Sequence, residues 1–538
     1  MKKKIREILK KAVLDLQKSG GFGDFEIPEI AVEYPAAEKF GDYTTNVAMI
    51  LGKTLKKNPM EIAENLKMSF ENLEKTNYEN VFEKIEVAAP GHVNFHLSRK
   101  YFQDKVAEIN KQKENFGNSQ VGKGVKINNE FISANPTGPL HLGNGRGGFY
   151  GDSLGRIGGK AGFEVTNEYF VNDAGEQIVK LGHSVLKDDK AVYAGEYMDG
   201  LNEKLKNMPG AKEAGEEATK IIMEESVKKT AAEKMQIKFD VWMSEKSLYR
   251  DDYVDRAMAV LKNKNLTKKE EGALWLKTTQ FGDDKDRVLI KSNGEKTYLA
   301  SDCGYILNKI ERGFQKMIEI WGADHQGYVK RFEAAARALG FAGELKFIIV
   351  QMVRLVKNGK EARMSKRAGN VVYIDELIDK VGHDVARFFF LLYSPDAHMN
   401  FDLELAEERS EKNPVFYVQY AHARVCSILR KADDFQDLTL NSGLNLKKLV
   451  REKELSLMKE LNKFPELVEE IAENCEAHKL PHYAVKLADK FHSFYNDCRI
   501  IDAKNSELSR ARLNLVNAVR IVLAETLRLI GVSAPEKM

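Results

Sequence analysis

Cysteine is scarce and scattered. The four in 538 residues, Cys303, Cys426, Cys475 and Cys498, form no C-x-x-C pair and have no paired histidines nearby. This spacing supports neither a zinc ribbon nor a disulfide framework, and it fits a reducing, cytoplasmic setting. Long apolar runs are missing too: no uninterrupted stretch approaches the ~18 residues of a membrane span, so no membrane partner is expected. The basic N-terminus passes into an amphipathic pattern (Ile5, Ile8, Leu9, Val13, Leu16), which predicts a first helix instead of a secretion signal. An excess of one charge is also lacking. A formal net charge of +3 is too small for a global field, so any nucleic-acid surface has to be a local patch.

What is present is folded-protein chemistry. Hydrophobic residues make up 43% and charged residues 30%, enough for sizeable cores. Residues 1–115 alternate helical patterns with strand-like runs, Ile85–Ala88 and His92–Leu97 around Pro90-Gly91, which predicts a small α+β domain. The polar stretch Lys111–Gln120 reads as a linker, with a new domain starting near Val121. Residues 125–132 read as a strand, followed by the loop Ser133–Pro139 and a glycine-rich helix. Ten glycines lie between Gly138 and Gly162, a density explained by close approach of the backbone to a ligand or a neighbouring element. Residues from about 176 to 265 read as a charged helical insertion. Arg287–Leu299 reads as a hairpin with a type I′ turn at Asn293-Gly294, and Met317–Gly322 as a strand. From about Leu405 helical periodicity takes over, as at Leu515, Val519, Val522, Leu523, Leu527 and Ile530.

Two distant segments carry the chemistry. Pro139-Leu140-His141-Leu142-Gly143-Asn144 sets an imidazole and bare backbone at a strand-to-helix junction, where amide groups and the helix dipole favour phosphate. Arg363-Met364-Ser365-Lys366-Arg367 closes a stretch from Lys346 with seven basic residues and one acidic residue, Glu361, and suits an anion-gripping loop. Gly143-Asn-Gly-Arg-Gly-Gly148 also matches G-x-G-x-x-G, with Glu164 and Glu168 near the place of an acidic ribose partner. The dinucleotide fingerprint needs its glycine turn directly after the first strand, whereas a loop with two prolines intervenes here. A lone histidine at 141 would ordinarily be a cap or a core residue; the Ser-x-Asn-Pro…His-x-Gly setting favours a phosphate donor.

His141–Asn144 resembles the HIGH signature of class I aminoacyl-tRNA synthetases, and Arg363–Arg367 the KMSKS signature. Further segments narrow the resemblance to the arginyl-tRNA synthetase family: Phe40–Asn46, Ser133–Gly138, Val171–Gly175, Phe239–Trp242, Gly272–Leu276, Trp321–His325, Tyr417–Arg424 and Ser533–Met538. The resemblance implies a multidomain α/β architecture of three parts. Residues 1–115 would be an N-terminal α+β domain contacting tRNA. Residues 116–404 would be a Rossmann-like class I catalytic domain with the helical insertion and the KMSKS-like loop. Residues 405–538 would be an all-helical anticodon-binding bundle.

It further implies ATP-dependent ligation of L-arginine to tRNA through an arginyl-adenylate, with Mg2+-ATP as substrate complex, no tightly bound cofactor or metal, and a monomer. Carried over by position, His141 and Lys366 are catalytic. ATP is held by His141, Gly143, Asn144, Met364, Ser365 and Lys366. Arginine is held by Glu130, Ser133, Asn135, Asn144, Tyr298, Asp302 and Gln326. Anticodon bases meet Tyr417, Gln419, Tyr420, His422 and Arg424. A guanidinium independently calls for carboxylate acceptors such as Asp302, which can accept bidentately. Asn144 departs from the signature's final histidine, and Arg363 and Arg367 replace lysine and serine. The alternatives are another class I ligase or nucleotidyltransferase, and an RNA-binding relative without catalysis; retention of His141 and Lys366 argues against the latter.

Overall fold

The computed structural model describes all residues except 78–80, 363–371, 434–444 and 503, and leaves out the side chains of 74–77 and 433. In the first region, α1 (Lys2–Lys18) turns Ile5, Ile8, Leu9 and Val13 inward. It packs on α3 (Pro59–Asn77), which also packs on α2 (Val47–Leu55), beside a small antiparallel sheet of β1 (Tyr43–Thr45), β2 (Phe82–Ala88) and β3 (His92–Leu97), ordered β1-β3-β2. The expected α+β unit is there, and both strands around Pro90-Gly91 pair in it.

The next helix, α4 (Arg99–Gln112), changes the linker reading. Its Gln103 side chain donates to the Leu449 carbonyl (3.1 Å) and its Asn110 to that of Asn514 (3.0 Å), so it sits inside the C-terminal bundle. Phe116, only 2% exposed, stacks on Phe464, and Lys160 Nζ donates to the Glu114 carbonyl at 2.9 Å. Residues 111–120 are therefore a packed junction. One aromatic anchor outweighs the polar composition on which the linker expectation rested.

The middle region begins β4 (Lys126–Glu130), α5 (Leu142–Lys160), β5 (Glu164–Val171), α6 (Glu176–Leu186), α7 (Glu196–Leu205), α8 (Ala211–Ile221) and β6 (Val241–Ser244). It continues through α9 (Glu245–Arg250), α10 (Tyr253–Asn263), β7 (Thr267–Glu270), β8 (Ala273–Leu276), β9 (Arg287–Ile290), α11 (Tyr298–Glu311), β10 (Lys316–Gly322), α12 (Val329–Leu339) and β11 (Glu344–Val350). Then come β12 (Val353–Lys357), β13 (Lys360–Glu361), α13 (Ile374–Val381), α14 (His383–Leu391) and β14 (Met399–Asp402). Five strands form one parallel sheet in the order β11-β10-β4-β5-β6. Chain order reverses between β4 and β10, which opens a crevice beyond their carboxyl ends, the place where open α/β sheets bind ligands.

Two expectations are corrected in this region. Residues 176–265 are not a wholly helical insertion, because Val241–Ser244 is the edge strand of the main sheet, parallel to β5. Four residues are too few to show a period among charged helices. Nor is Arg287–Leu299 a full hairpin: beyond the turn there is one bridge, Ile290 to Lys296, and Tyr298 already begins α11. Gly294 takes a φ of 85° while Asn293 is not left-handed, so the turn is not type I′.

The glycine-rich helix is explained by close packing. A Cβ at Gly151 would lie 2.3 Å from Phe131, and one at Gly145 would lie 2.4 Å from Ile374. The C-terminal region is helical, as expected: α15 (Leu403–Glu407), α16 (Pro414–Asp433), α17 (Glu452–Asn462), α18 (Phe464–Asn474), α19 (Lys479–Asp497) and α20 (Ser506–Ile530). All six periodic residues singled out in α20 are buried.

Candidate active site

The site is built at the β4/β10 switch point. His141 is the N-cap of α5, in extended conformation; its Nδ1 accepts from the Gly143 amide (3.1 Å) while the Asn144 Oδ1 accepts from the His141 amide (3.0 Å). This is the reciprocal geometry of a capping box. Because Nδ1 is an acceptor, the neutral ring carries its proton on Nε2, which leaves that N–H as a donor. Desolvation lowers the imidazole's pKa below its usual value, against the pull of Asp324. The histidine is thus both the cap that the bland reading predicts and a neutral donor. The Asn144 carbonyl oxygen accepts in the cap, and its Nδ2 remains the donor it can offer to ATP or arginine.

Residues 140–142 run antiparallel to 372–374: His141 bridges Tyr373, the Leu142 amide donates to the Val372 carbonyl (3.2 Å), and the Ile374 amide to the Leu140 carbonyl (2.9 Å). Met364, Ser365 and Lys366 lie outside the described residues. Val372 follows Lys366 by six positions, and an extended chain of that length spans at most about 21 Å.

Asp324, which faces His141, lies in the short 3-10 turn Ala323–Tyr328 after β10, the turn that also carries exposed Gln326. Tyr328, at its end, donates its hydroxyl to Asp302 Oδ2. Asp302 is on α11, one turn after Tyr298, which is 66% exposed. The hairpin reading of Arg287–Leu299 would set Tyr298 on a strand; instead Tyr298 and Asp302 share a helix face. Desolvation, with Glu245 and Glu130 as like-charged neighbours, pushes the Asp302 carboxyl up to about 7, while the Tyr328 hydrogen bond opposes the rise.

Glu245, missed in the sequence, begins α9 and is buried; its Oε1 accepts from Ser301 Oγ at 2.7 Å. It carries no signal of its own in the sequence, because β6, which ends one residue before it, is too short to stand out among charged helices. Glu130, Asp302 and Glu245 make this wall acidic, complementary to a guanidinium. Ser133 Oγ donates to Glu130 Oε1 (3.0 Å) and accepts from the Phe170 amide (3.0 Å), while Asn135 Oδ1 accepts from Asn172 Nδ2 (3.0 Å). The described residues hold no group of three or more His, Cys, Asp or Glu that could bind a metal ion.

On α16 the five expected RNA-facing residues divide. Tyr417 donates to Asp489 Oδ1 (2.6 Å) and packs against His492, and Arg424 lies 5.3 Å over both the Tyr420 and Tyr495 rings. These form a partly exposed aromatic and cationic ledge, to which His492 and Tyr495 of α19 contribute without a signal in the sequence. His422 is only 3% exposed, with Nδ1 2.9 Å from the Pro535 carbonyl, and Gln419 Nε2 donates to Asp384 Oδ2 (2.8 Å) and the Ser533 carbonyl (3.0 Å). Both hold the C-terminal segment in place, and in this structure His422 has no face for a base.

Three family models match in order along the chain: the arginyl tRNA synthetase N terminal domain over residues 1–97, the class I (R) tRNA synthetase catalytic domain over 183–388, and the DALR anticodon binding domain over 418–538. The arginine–tRNA ligases of Bacillus licheniformis and Bacillus subtilis are each 42% identical to it, over 100% of this chain and 99% of theirs. The structure of Thermus thermophilus arginyl-tRNA synthetase, 21% identical, superposes with a TM-score of 0.78 over 100% of both chains and shows the shared fold. With relatives this similar along its whole length, the chain belongs to the arginyl-tRNA synthetase family, the class I enzymes that join arginine to tRNA.

Proposed function

We propose that the switch-point crevice holds ATP and arginine side by side, His141 and Lys366 gripping the triphosphate and Asp302 receiving the guanidinium. The observation that carries this is the antiparallel pairing of residues 140–142 with 372–374, which ties the start of α5 to the chain just beyond Lys366. The arginine carboxylate attacks the α-phosphorus of Mg2+-ATP, and pyrophosphate leaves. A terminal ribose hydroxyl of tRNA then attacks the adenylate carbonyl, and AMP leaves.

No protein nucleophile is needed. The His141 Nε2–H, the positive end of the α5 dipole and the Lys366 ammonium stabilise charge that develops on the phosphates. Gly143 lets the ligand approach the backbone, and Met364 and Ser365 belong to the same grip. Glu130, Ser133, Asn135, Tyr298, Gln326 and the Nδ2 of Asn144 complete the amino-acid pocket, with Glu245 added to its wall. Tyr417, Tyr420 and Arg424 offer stacking surfaces to anticodon bases.

The enzyme acts as a cytoplasmic monomer with no resident cofactor. Arginine-dependent exchange of pyrophosphate into ATP, with and without tRNA, tests the reading. Activity confined to arginine is expected, and absence of exchange under both conditions rejects it.

A further inference from the structure

Below the arginine pocket, three carboxylates stand in one row across three adjacent strands: Glu319 of β10 is in register with Glu130 of β4, which is in register with Glu168 of β5. All three are buried, at 1%, 5% and 0% exposure. Three neighbouring carboxylates without water require matching cations. Helix α11 supplies them from the same face that carries Asp302. Lys309, 0% exposed, donates to Glu130 Oε2 and Glu319 Oε1, both at 2.7 Å. Tyr305 lies 2.8 Å from Glu130 Oε2 and 2.5 Å from Glu168 Oε1, and Arg312 pairs with Glu168 Oε2.

The charges nearly balance. Two cations face three carboxylates, and the imbalance falls on Glu319, where burial, set against the pull of Lys309 and reinforced by Glu130, raises the carboxyl to about 8. Glu130 stays ionised: burial would raise it, but Lys309, Tyr305 and Ser133 together lower it below the usual value.

Glu130 also has a task above the row. Directly after Phe131 the backbone is left-handed at two successive non-glycine residues, Ile132 (φ 68°) and Ser133 (φ 39°). A β-branched residue in that region is strained and persists only where its surroundings dictate it. Here the bond from Ser133 Oγ to Glu130 and the two contacts of the Tyr169 hydroxyl with Ala134 hold the turn that presents Ser133 and Asn135.

We propose that Lys309 is a positioning residue for arginine activation: clamped between Glu130 and Glu319, its ammonium fixes Glu130 as the anchor of the strained 132–133 turn and so sets the amino-acid pocket. Lys309 touches no substrate; it acts through Glu130. The inference rests on the pocket assignment above. The groups facing Glu130 are Lys309, Tyr305 and Asp302 from α11, Glu319 from β10 and Glu168 from β5. Removing the one direct cation must therefore raise the Glu130 pKa.

The test is Lys309→Met, assayed by exchange and by aminoacylation across pH. The expected result is a KM for arginine about 10- to 100-fold higher at neutral pH, with KM for ATP and tRNA close to wild type. Lys309 also holds the Asp302 carboxyl down, so its loss raises both carboxyls. The acid limb of kcat/KM for arginine, which Asp302 sets, should move up by about one pH unit or more, so that raising the pH restores activity. Should Lys309→Met fail to fold, the double variant Lys309→Met/Glu319→Leu removes the cation together with its second carboxylate, and the same shift is expected in it. A folded variant with the wild-type arginine pH profile overturns the proposal, as does an equal loss for all three substrates at every pH. Wild-type protein without arginine-dependent exchange would sink the pocket assignment itself, an outcome distinct from either.

Discussion

The Leu142 amide donates to the Val372 carbonyl across 3.2 Å, which fastens the first turn of α5 to the chain that follows Lys366. In the proposed site, a phosphate at that turn lies beside a chain position only six residues downstream of Lys366, a separation of at most about 21 Å. A cation that meets charge developing in the transition state affects kcat more than ground-state affinity. Lys366→Ala is expected to lower kcat for arginine-dependent exchange by about 10²- to 10³-fold, with KM for arginine changed less than about threefold. Steady-state exchange kinetics check this, and a change confined to KM for arginine would place Lys366 elsewhere.

The observed cap and the proposed catalytic role of His141 can be separated by substitution. Asparagine is a strong N-cap but lacks the imidazole Nε2–H. His141→Asn is expected to keep the melting temperature within about 2 °C while lowering kcat by about 100-fold. His141→Ala should show the same loss of rate and also lose about 1 kcal/mol of stability with the cap. The folded imidazole has a depressed pKa, so the unfolded chain takes up the proton first as pH falls. Its contribution to stability is complete above the unfolded value near 6.5 and declines below it. Thermal melts of wild type and His141→Asn between about pH 5.5 and 8 should diverge at the acid end.

With Asp302 as the proposed guanidinium acceptor, arginine binding acquires a pH dependence of opposite origin. Its carboxyl sits at about 7 in the free protein, so near neutrality much of it is protonated and cannot pair with a guanidinium. Arginine affinity should rise with pH up to about 7, by as much as ~10-fold per unit, and level off above. Asp302→Asn should abolish this slope and weaken arginine by about 10- to 150-fold. The same substitution should raise the melting temperature of the ligand-free protein near neutral pH. A carboxyl whose folded pKa exceeds its unfolded 3.8 destabilises the fold increasingly as pH climbs from that value towards 7. Calorimetric titration of arginine across pH, with melts of both proteins, decides the matter.

What the sequence made legible follows physical length scale. Long periodic segments such as α20 are readable, because a dozen or more residues reveal their period. The four-residue edge strand Val241–Ser244 is not, and with it goes Glu245, whose place beside Asp302 depends on that strand. The glycines of α5 announced close packing, but their partners, Phe131 and Ile374, are fixed by tertiary contact alone. Lys309 illustrates the same limit. Within α11 it reads as one more helical lysine, and only the register of three strands places it between two carboxylates.

On α16 the exposed and buried members make contrasting predictions. Tyr417, Tyr420 and Arg424 follow one helix face and remain partly exposed beside His492 and Tyr495, whereas His422 is enclosed and Gln419 is bonded to Asp384 and Ser533. A base stacked on an aromatic side chain is worth about 1–3 kcal/mol. Tyr420→Ala or Arg424→Ala should therefore raise KM for tRNA by about 5- to 150-fold while leaving KM for arginine and ATP unchanged. His422→Ala and Gln419→Ala should instead lower the melting temperature and leave KM for tRNA within about twofold, since each loses a hydrogen bond inside the fold and no contact with RNA. Aminoacylation kinetics with varied tRNA, paired with melts of all four variants, distinguish the two groups. If the loss of tRNA affinity tracked His422 instead of Tyr420, base recognition would have to involve a rearranged C-terminal segment, because in the present packing the Pro535 carbonyl occupies the imidazole.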